Sequence, residues 1–128
     1  RTKEGQRQHD EMVEARARNT VNTGIASQVT ADLPGWPKPP NVGGYVPDVC
    51  ARTPNGWVIT EVETSDSIDS EHTKLQWQAF DLARAFFHVK VPRSCLARAK
   101  ANAQRWGVSV DHWYFDLDCR RSSQGAGI

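Results

Sequence analysis

The sequence predicts an α/β fold with a mixed sheet, and three observations carry that prediction. The first is the stretch over 45–80, which reads as strand, turn, strand, acidic loop and helix. Val46, Val49, Val58, Ile59 and Val62 give its first half β-branched character. Pro54-Asn55-Gly56 supplies the turn between the two strands, because proline presets φ and Asn-Gly accepts positive φ. The second is the helical spacing of Leu75, Ala79, Leu82, Ala83 and Phe86, which predicts a helix from an Asp69 or Ser70 cap to about Phe86 with those residues as its core stripe. The third is the alternation of Phe87-His88-Val89-Lys90-Val91, a strand that Pro92 stops.

The remaining elements follow in chain order. Residues 4–19 are helix-friendly and free of Gly or Pro after Gly5, with Met12 and Val13 as anchors of a narrow apolar stripe. His9 lies on the edge of that stripe, at i, i+3, i+4 from its anchors. Residues 29–33 read as a short first strand. Pro34-Gly35-Trp36-Pro37-Lys38-Pro39-Pro40 excludes regular structure, because proline lacks an amide donor and restricts its predecessor. Trp36 there reads as a cover for the core, with stacking on a nucleic-acid base as the alternative. Ser94 caps a helix over 95–106 with Leu96, Ala99, Ala103 and Trp106 on one line and Arg98, Asn102 and Arg105 on another. A last strand is expected over 108–117, and 119–128 as a flexible tail. The order is helix, strand, two hairpin strands, helix, strand, helix, strand, within one domain over 1–128.

Composition narrows the class. At 128 residues and 38% hydrophobic content, with five Trp and four Phe, the chain has enough apolar area for one core. No apolar run approaches membrane-spanning length, so no membrane partner is expected. Three widely spaced cysteines without Cys-x-x-Cys spacing read as reduced thiols of a cytoplasmic protein. The net charge of +1 is uninformative, but its distribution is not. From Glu61 to Glu71 there are five acids and no Lys or Arg, whereas from Leu82 to Arg121 there are eight Lys or Arg against three Asp. An acidic pocket beside a basic flank suits a metal site that handles a phosphate backbone; ordinary surface charge is the alternative. No Gly-rich phosphate loop, Ser-His-Asp order or zinc spacing points to another enzyme class.

The chemistry concentrates on the hairpin. Glu61 and Glu63 share one strand face while Val62 takes the other, and strand pairing brings Asp48 toward them. Three buried carboxylates need a cation or raised pKa values, and hard oxygen ligands suit Mg²⁺ or Mn²⁺. A solvated strand face whose acids never meet is the competing reading.

These residues resemble a family. Pro47-Asp48, then Glu61-Val62-Glu63 and a helix, is similar to the pattern of the PD-(D/E)XK nuclease superfamily, the restriction-endonuclease-like fold. Gln76-Trp77-Gln78-Ala79-Phe80 resembles the Gln-x-x-x-Tyr helix motif of the RecB and lambda-exonuclease branch, with Phe for Tyr. Gly5-x-x-x-His9 before Met12-Val13 resembles the first helix of that branch, where His completes the metal shell; Holliday-junction-resolvase-like relatives carry Glu there, so Glu11 and Glu14 are substitutes. The resemblance spans about positions 5–90. It implies an αβββαβ core, to which this chain adds a C-terminal helix and strand.

The implied activity is Mg²⁺-dependent hydrolysis of DNA phosphodiester bonds. Asp48, Glu61, the Val62 carbonyl and His9 would hold the metal, Glu63 would act as base or bind a second metal, and Gln76 would orient the water. Glu63 stands where the family has Lys, as in some restriction enzymes. That removes a cation from the strand and raises an alternative, a nuclease-fold module that binds nucleic acid or protein without cutting. Lys74 and His72 on the helix, and Arg98 and Arg105 on the basic line, are the candidate nucleic-acid contacts. The chain's length leaves little room for separate recognition, so a homodimer or a larger protein partner is expected.

Overall fold

A computed structural model describes residues 1–116. Residues 117–128, and with them the expected tail, Leu117 and Cys119, lie outside the described residues. Among those described, three α-helices and a five-stranded mixed sheet follow the order α1 (Lys3–Thr23), β1 (Gln28–Ala31), β2 (Val49–Thr53), β3 (Gly56–Val62), α2 (Glu71–Asp81), β4 (Phe86–Pro92), α3 (Leu96–Arg105) and β5 (His112–Asp116). None of the helices is long and apolar enough to cross a membrane.

The strands lie in sequence order, β1-β2-β3-β4-β5. The first three run antiparallel, and β4 and β5 pair parallel to β3 and β4. The switch has a topological cause. A short turn can return the chain antiparallel, whereas a parallel neighbour needs a crossover, which α2 and α3 provide. The β2–β3 turn is built as its sequence requires: Asn55 N donates to Thr53 Oγ1 at 3.2 Å, Thr53 Oγ1 donates to Gly56 O at 2.8 Å, and Gly56 alone takes positive φ, at 124°.

Each sheet face has its own core. Met12, Val13 and Ala17 of α1 pack on Ala31, Val49 and Val62, with Trp36 over the edge. Trp36 is thus core cover, and its Nε1 donates to Glu14 Oε1 at 3.0 Å. On the other face Trp77 and Phe80 of α2 and Ala99 and Ala103 of α3 meet Cys50, Ile59, Phe87, Val89 and Val91. Thr2 caps α1 by accepting from Gly5 N at 2.9 Å, and Gly24, at φ 71°, ends it one turn beyond the expected Asn19.

Several expectations shift. The first strand spans Gln28–Ala31 rather than 29–33. Of the two expected caps of α2, Ser70 is the one used, accepting from Thr73 N at 3.1 Å, but the helix stops at Asp81 and its core face is Thr73, Trp77 and Phe80. Leu82 is 86% exposed, and Leu75 and Phe86 are exposed as well. The chain has to leave the helix early so that Phe86 can open β4 opposite Val58, and the largest ring, Trp77, then takes the buried side. Pro92 ends β4 from inside, α3 begins after a 3₁₀ turn at Arg93–Cys95, and β5 begins at His112 rather than Val108.

Candidate active site

The end of the hairpin assembles the acids. Glu61 sits on the same side of β3 as Ile59, facing α2, and Glu63 follows on that side just past the strand. Asp48 immediately precedes β2, one residue before the Val49–Thr60 pair, and so lies beside Glu61. Reciprocal bonds lock the two: Asp48 N donates to Glu61 Oε2 at 2.8 Å, and Val62 N donates to Asp48 Oδ2 at 2.8 Å. The solvated-face alternative is therefore excluded, since Glu61 and Glu63 are only 1% and 3% exposed.

Helix α1 brings His9 to this pair. Its Nε2 lies 3.1 Å from Asp48 Oδ1 and its Nδ1 3.0 Å from Asp10 Oδ1. Burial pushes the imidazole pKa down, but the bond to Asp48, the charge of Asp48 and the bond to Asp10 together outweigh it and raise it. The substitutes on the same helix do not join: Glu11 pairs with Arg7 and Glu14 with Arg18, on a different side of α1.

Glu63 is held by four side-chain donors. Ser67 Oγ at 2.7 Å, Thr73 Oγ1 at 3.2 Å and Arg1 Nη2 at 3.5 Å reach Oε1, and Trp77 Nε1 reaches Oε2 at 3.2 Å. Burial and the Asp48 charge still raise its pKa to about 7, against the opposing pull of Ser67, Arg1 and Trp77. Burial, then the charges of Asp48 and Glu63, push Glu61 well above the ordinary carboxylate range. Both rises follow from burial and from the repulsion between neighbouring carboxylates.

A cavity of about 470 Å³ opens over these groups. His9, Asp48, Glu61, Val62, Glu63, His72 and Gln76 all line it, so α2 does aim His72 and Gln76 at the acids. Lys74 is not among its lining residues. The basic line on α3 is not a free face either. Asn102 is buried and donates to Ile68 O at 3.1 Å and Asp69 Oδ1 at 2.8 Å; Arg98 pairs with Asp69, and Arg105 Nη2 donates to Asn102 Oδ1 at 2.6 Å. Arg98 and Arg105 thereby help staple α3 to the loop before α2, because a buried amide and its acidic neighbour need partners.

Sequence reasoning missed Arg1, Asp10, Ser67, Thr73 and Trp77. Thr73 and Trp77 are spaced i, i+4 and flank Gln76, a signal that a wheel centred on Trp77 would have caught. Arg1 carries no such signal, since it meets Glu63 across 62 residues of chain. It is the one Lys or Arg among the described lining residues. Lys90, the buried lysine opposite Val62, faces α1, where its Nζ donates to Met12 O at 3.3 Å and pairs with Asp116 at 3.5 Å.

In kind, the donors fit a hard divalent cation: two carboxylates with accepting oxygens, a backbone carbonyl and an imidazole. In arrangement they bond to one another, and among the described residues no group of three or more His, Cys, Asp or Glu side chains stands ready to hold a metal. Compared with known proteins, the chain matches no family model, no curated protein and no solved structure.

Proposed function

We propose that this chain is a restriction-endonuclease-like domain that hydrolyses phosphodiester bonds of DNA with Mg²⁺ or Mn²⁺. The observation that carries the reading is the locked Asp48–Glu61 pair, closed by His9 inside one cavity, with the acids entering from the strand ends in the order the motif pattern implies. The order of helices and strands, and the switch from antiparallel to parallel pairing at β3, agree with an αβββαβ core. Buried Cys50, a free thiol, suits a reducing, cytoplasmic setting.

Asp48 and Glu61 would hold the cation, with the Val62 carbonyl and His9 completing its shell. Bound there, the ion would supply positive charge against the phosphate and a more acidic water. His9 is oriented by Asp10 and holds Asp48 in place. Gln76 reaches the same space as a neutral hydrogen-bonding group, suited to orienting a phosphate oxygen or a water. Glu63, with a pKa near neutrality, can accept a proton at working pH. Arg1 brings a cation to a pocket that otherwise repels a phosphate. Recognition of DNA beyond the scissile bond would fall to a second copy or a larger partner.

One observation favours a second reading, a binding module that does not cut. Glu63 stands in place of a lysine, and both its oxygens are already engaged by protein donors. A single experiment separates the two. Circular and linear, single- and double-stranded DNA are incubated with the protein in Mg²⁺ or Mn²⁺, beside Asp48→Ala. The nuclease reading expects metal-dependent cleavage that Asp48→Ala reduces by at least about a hundredfold. Cleavage retained in that variant overturns the assignment, and salt-sensitive DNA binding without cleavage supports the binding module.

A further inference from the structure

A second cavity, of about 170 Å³, lies on the opposite face of the sheet, between the C-terminal half of α1 and strands β2 to β5. Its floor contains Thr60 and His88, paired on neighbouring strands, and His88 pairs in turn with His112, which lies outside the cavity on the next strand. The two imidazole centroids are 5.5 Å apart. Residues of this parity face α1, since Val62 packs beneath that helix and Trp113, of the other parity, packs on Trp77. Arg16 lies against Tyr114, its Cζ 4.1 Å from the ring centroid.

The donors that remain define what this space can bind. Thr20 Oγ1 donates to Arg16 O, Thr23 Oγ1 to Thr20 O and Thr53 Oγ1 to Gly56 O, so three lining hydroxyls have already placed their protons. Arg16 makes only 3.4 Å contacts to Thr20 Oγ1, and no carboxylate among the described residues pairs with it. Thr60, His88 and Tyr114 complete the donors among the described lining residues, none of which is an acid. Lys90, in the next row, is engaged by Met12 O and Asp116. Burial first, then the charge of His112, hold the His88 pKa down to about 4; Asp111 pulls the other way, and Arg16 adds a smaller push downward. A metal cation would be repelled by Arg16. The volume is below the roughly 300–1,000 Å³ of pockets that take drug-sized ligands.

We propose that this cavity binds a phosphoryl group or another small tetrahedral oxyanion, through Arg16 with Thr60, His88 and Tyr114. The site faces away from the acidic pocket and does not depend on the nuclease reading. A guanidinium held by ring stacking is suited to a phosphate, because its fork of N–H donors matches two oxygens at once.

The test follows the His88 imidazole and the Thr60 and Tyr114 amides by NMR in the full chain. Inorganic phosphate and a nucleoside 5′-monophosphate are titrated separately at pH 7, against sodium chloride at matched ionic strength. Saturable shifts at all three residues are expected, with a rise in the His88 pKa on binding. Arg16→Gln should weaken the affinity by about tenfold or more, and Asp48→Ala should leave it unchanged. Tighter binding of the monophosphate identifies a nucleotide end as the source of the phosphoryl group, and equal binding identifies the free oxyanion. If Arg16→Gln does not fold, His88→Asn read from the two amides takes its place. No saturable shift, unchanged affinity in the Arg16 or His88 variant, loss of binding in Asp48→Ala, or a response to Zn²⁺ alone overturns the proposal.

Discussion

Glu61 is a carboxylate with almost no contact with water, beside two further carboxylates. A buried charge is costly, and like charges at short range add to the cost, so the folded state favours protonation. The sign of the pH effect follows. Glu63 has a folded pKa of about 7 against a reference of 4.5, and that of Glu61 is raised as well. A raised carboxyl pKa means that the native state holds protons the unfolded state releases. The stabilisation is fully present below about pH 4.5 and is lost as pH rises through about 7. Glu61→Gln mimics the protonated acid, since its side-chain oxygen can still accept from Asp48 N. In a chelator at pH 8 this variant should melt at a higher temperature than the wild type and show a shallower fall in Tm between pH 5 and 8. In the nuclease reading, added Mn²⁺ should raise Tm in the wild type and not in the variant. A variant that melts lower at pH 8 would show that the ionised cluster is not under strain.

At the scale of elements, the placement of α1 decides whether His9 reaches Asp48. The start of this helix is fastened to the loop after β3 by one carboxylate. Asp66 accepts from Thr2 N at 2.7 Å, Thr2 Oγ1 at 3.0 Å and Thr64 Oγ1 at 2.5 Å. The Thr64 hydroxyl first, then the Thr2 amide, draw its pKa down to about 2. Gly5 is what lets the helix come this close, because a Cβ there would lie 2.4 Å from Asp66 Oδ2. Alanine is otherwise the better helix former by about 1 kcal/mol. Gly5→Ala should nonetheless destabilise the protein, by about 1 kcal/mol net, as Asp66 swings away and the three bonds are lost. Urea denaturation measures it, and a more stable variant would show that the clasp contributes little. In the nuclease reading the same variant loses activity, because His9 shifts with the helix.

Across the whole molecule, Trp77 joins the core to the site. Its ring packs edge-on against Phe87, Trp106 and Trp113 with centroids 5.4–6.2 Å away, while its Nε1–H donates to Glu63. One side chain thus ties α2 to β4, to the end of α3, to β5 and to the acidic cluster. Trp77→Phe preserves part of the packing and removes the donor; Trp77→Ala removes both. The alanine variant should lose about 3–5 kcal/mol, measured by denaturant unfolding. The phenylalanine variant should lose less, with a Glu63 pKa higher than in the wild type, because a donor that favours the ionised form is gone. Equal losses in the two variants would show that the donor, which both lack, accounts for the effect and that the ring packing adds little.

Local signals determined much of this protein from the sequence. Alternation and turn chemistry place β2, β3 and the turn between them, because both depend on residues within a few positions of one another. The approach of Asp48 to Glu61 was legible as one of two readings for the same reason, since a hairpin's register follows from its turn. Whether the acids meet or stay solvated was not, and the cap of α2 was narrowed only to Asp69 or Ser70. The face of α2 was not legible. Leu75 and Leu82 fit a stripe as well as Trp77 does, and only the length of the crossover to β4 chose between them. Nor was the use of the charged residues legible. Arg98, Asn102 and Arg105 look like a surface row until Ile68 and Asp69 are packed beside them, and Arg1 belongs to the site only because α1 lies beside the loop that follows β3. The tertiary structure decided which carboxylates keep a partner and which have their pKa values raised, since burial and the approach of distant charges exist only once the layers are packed.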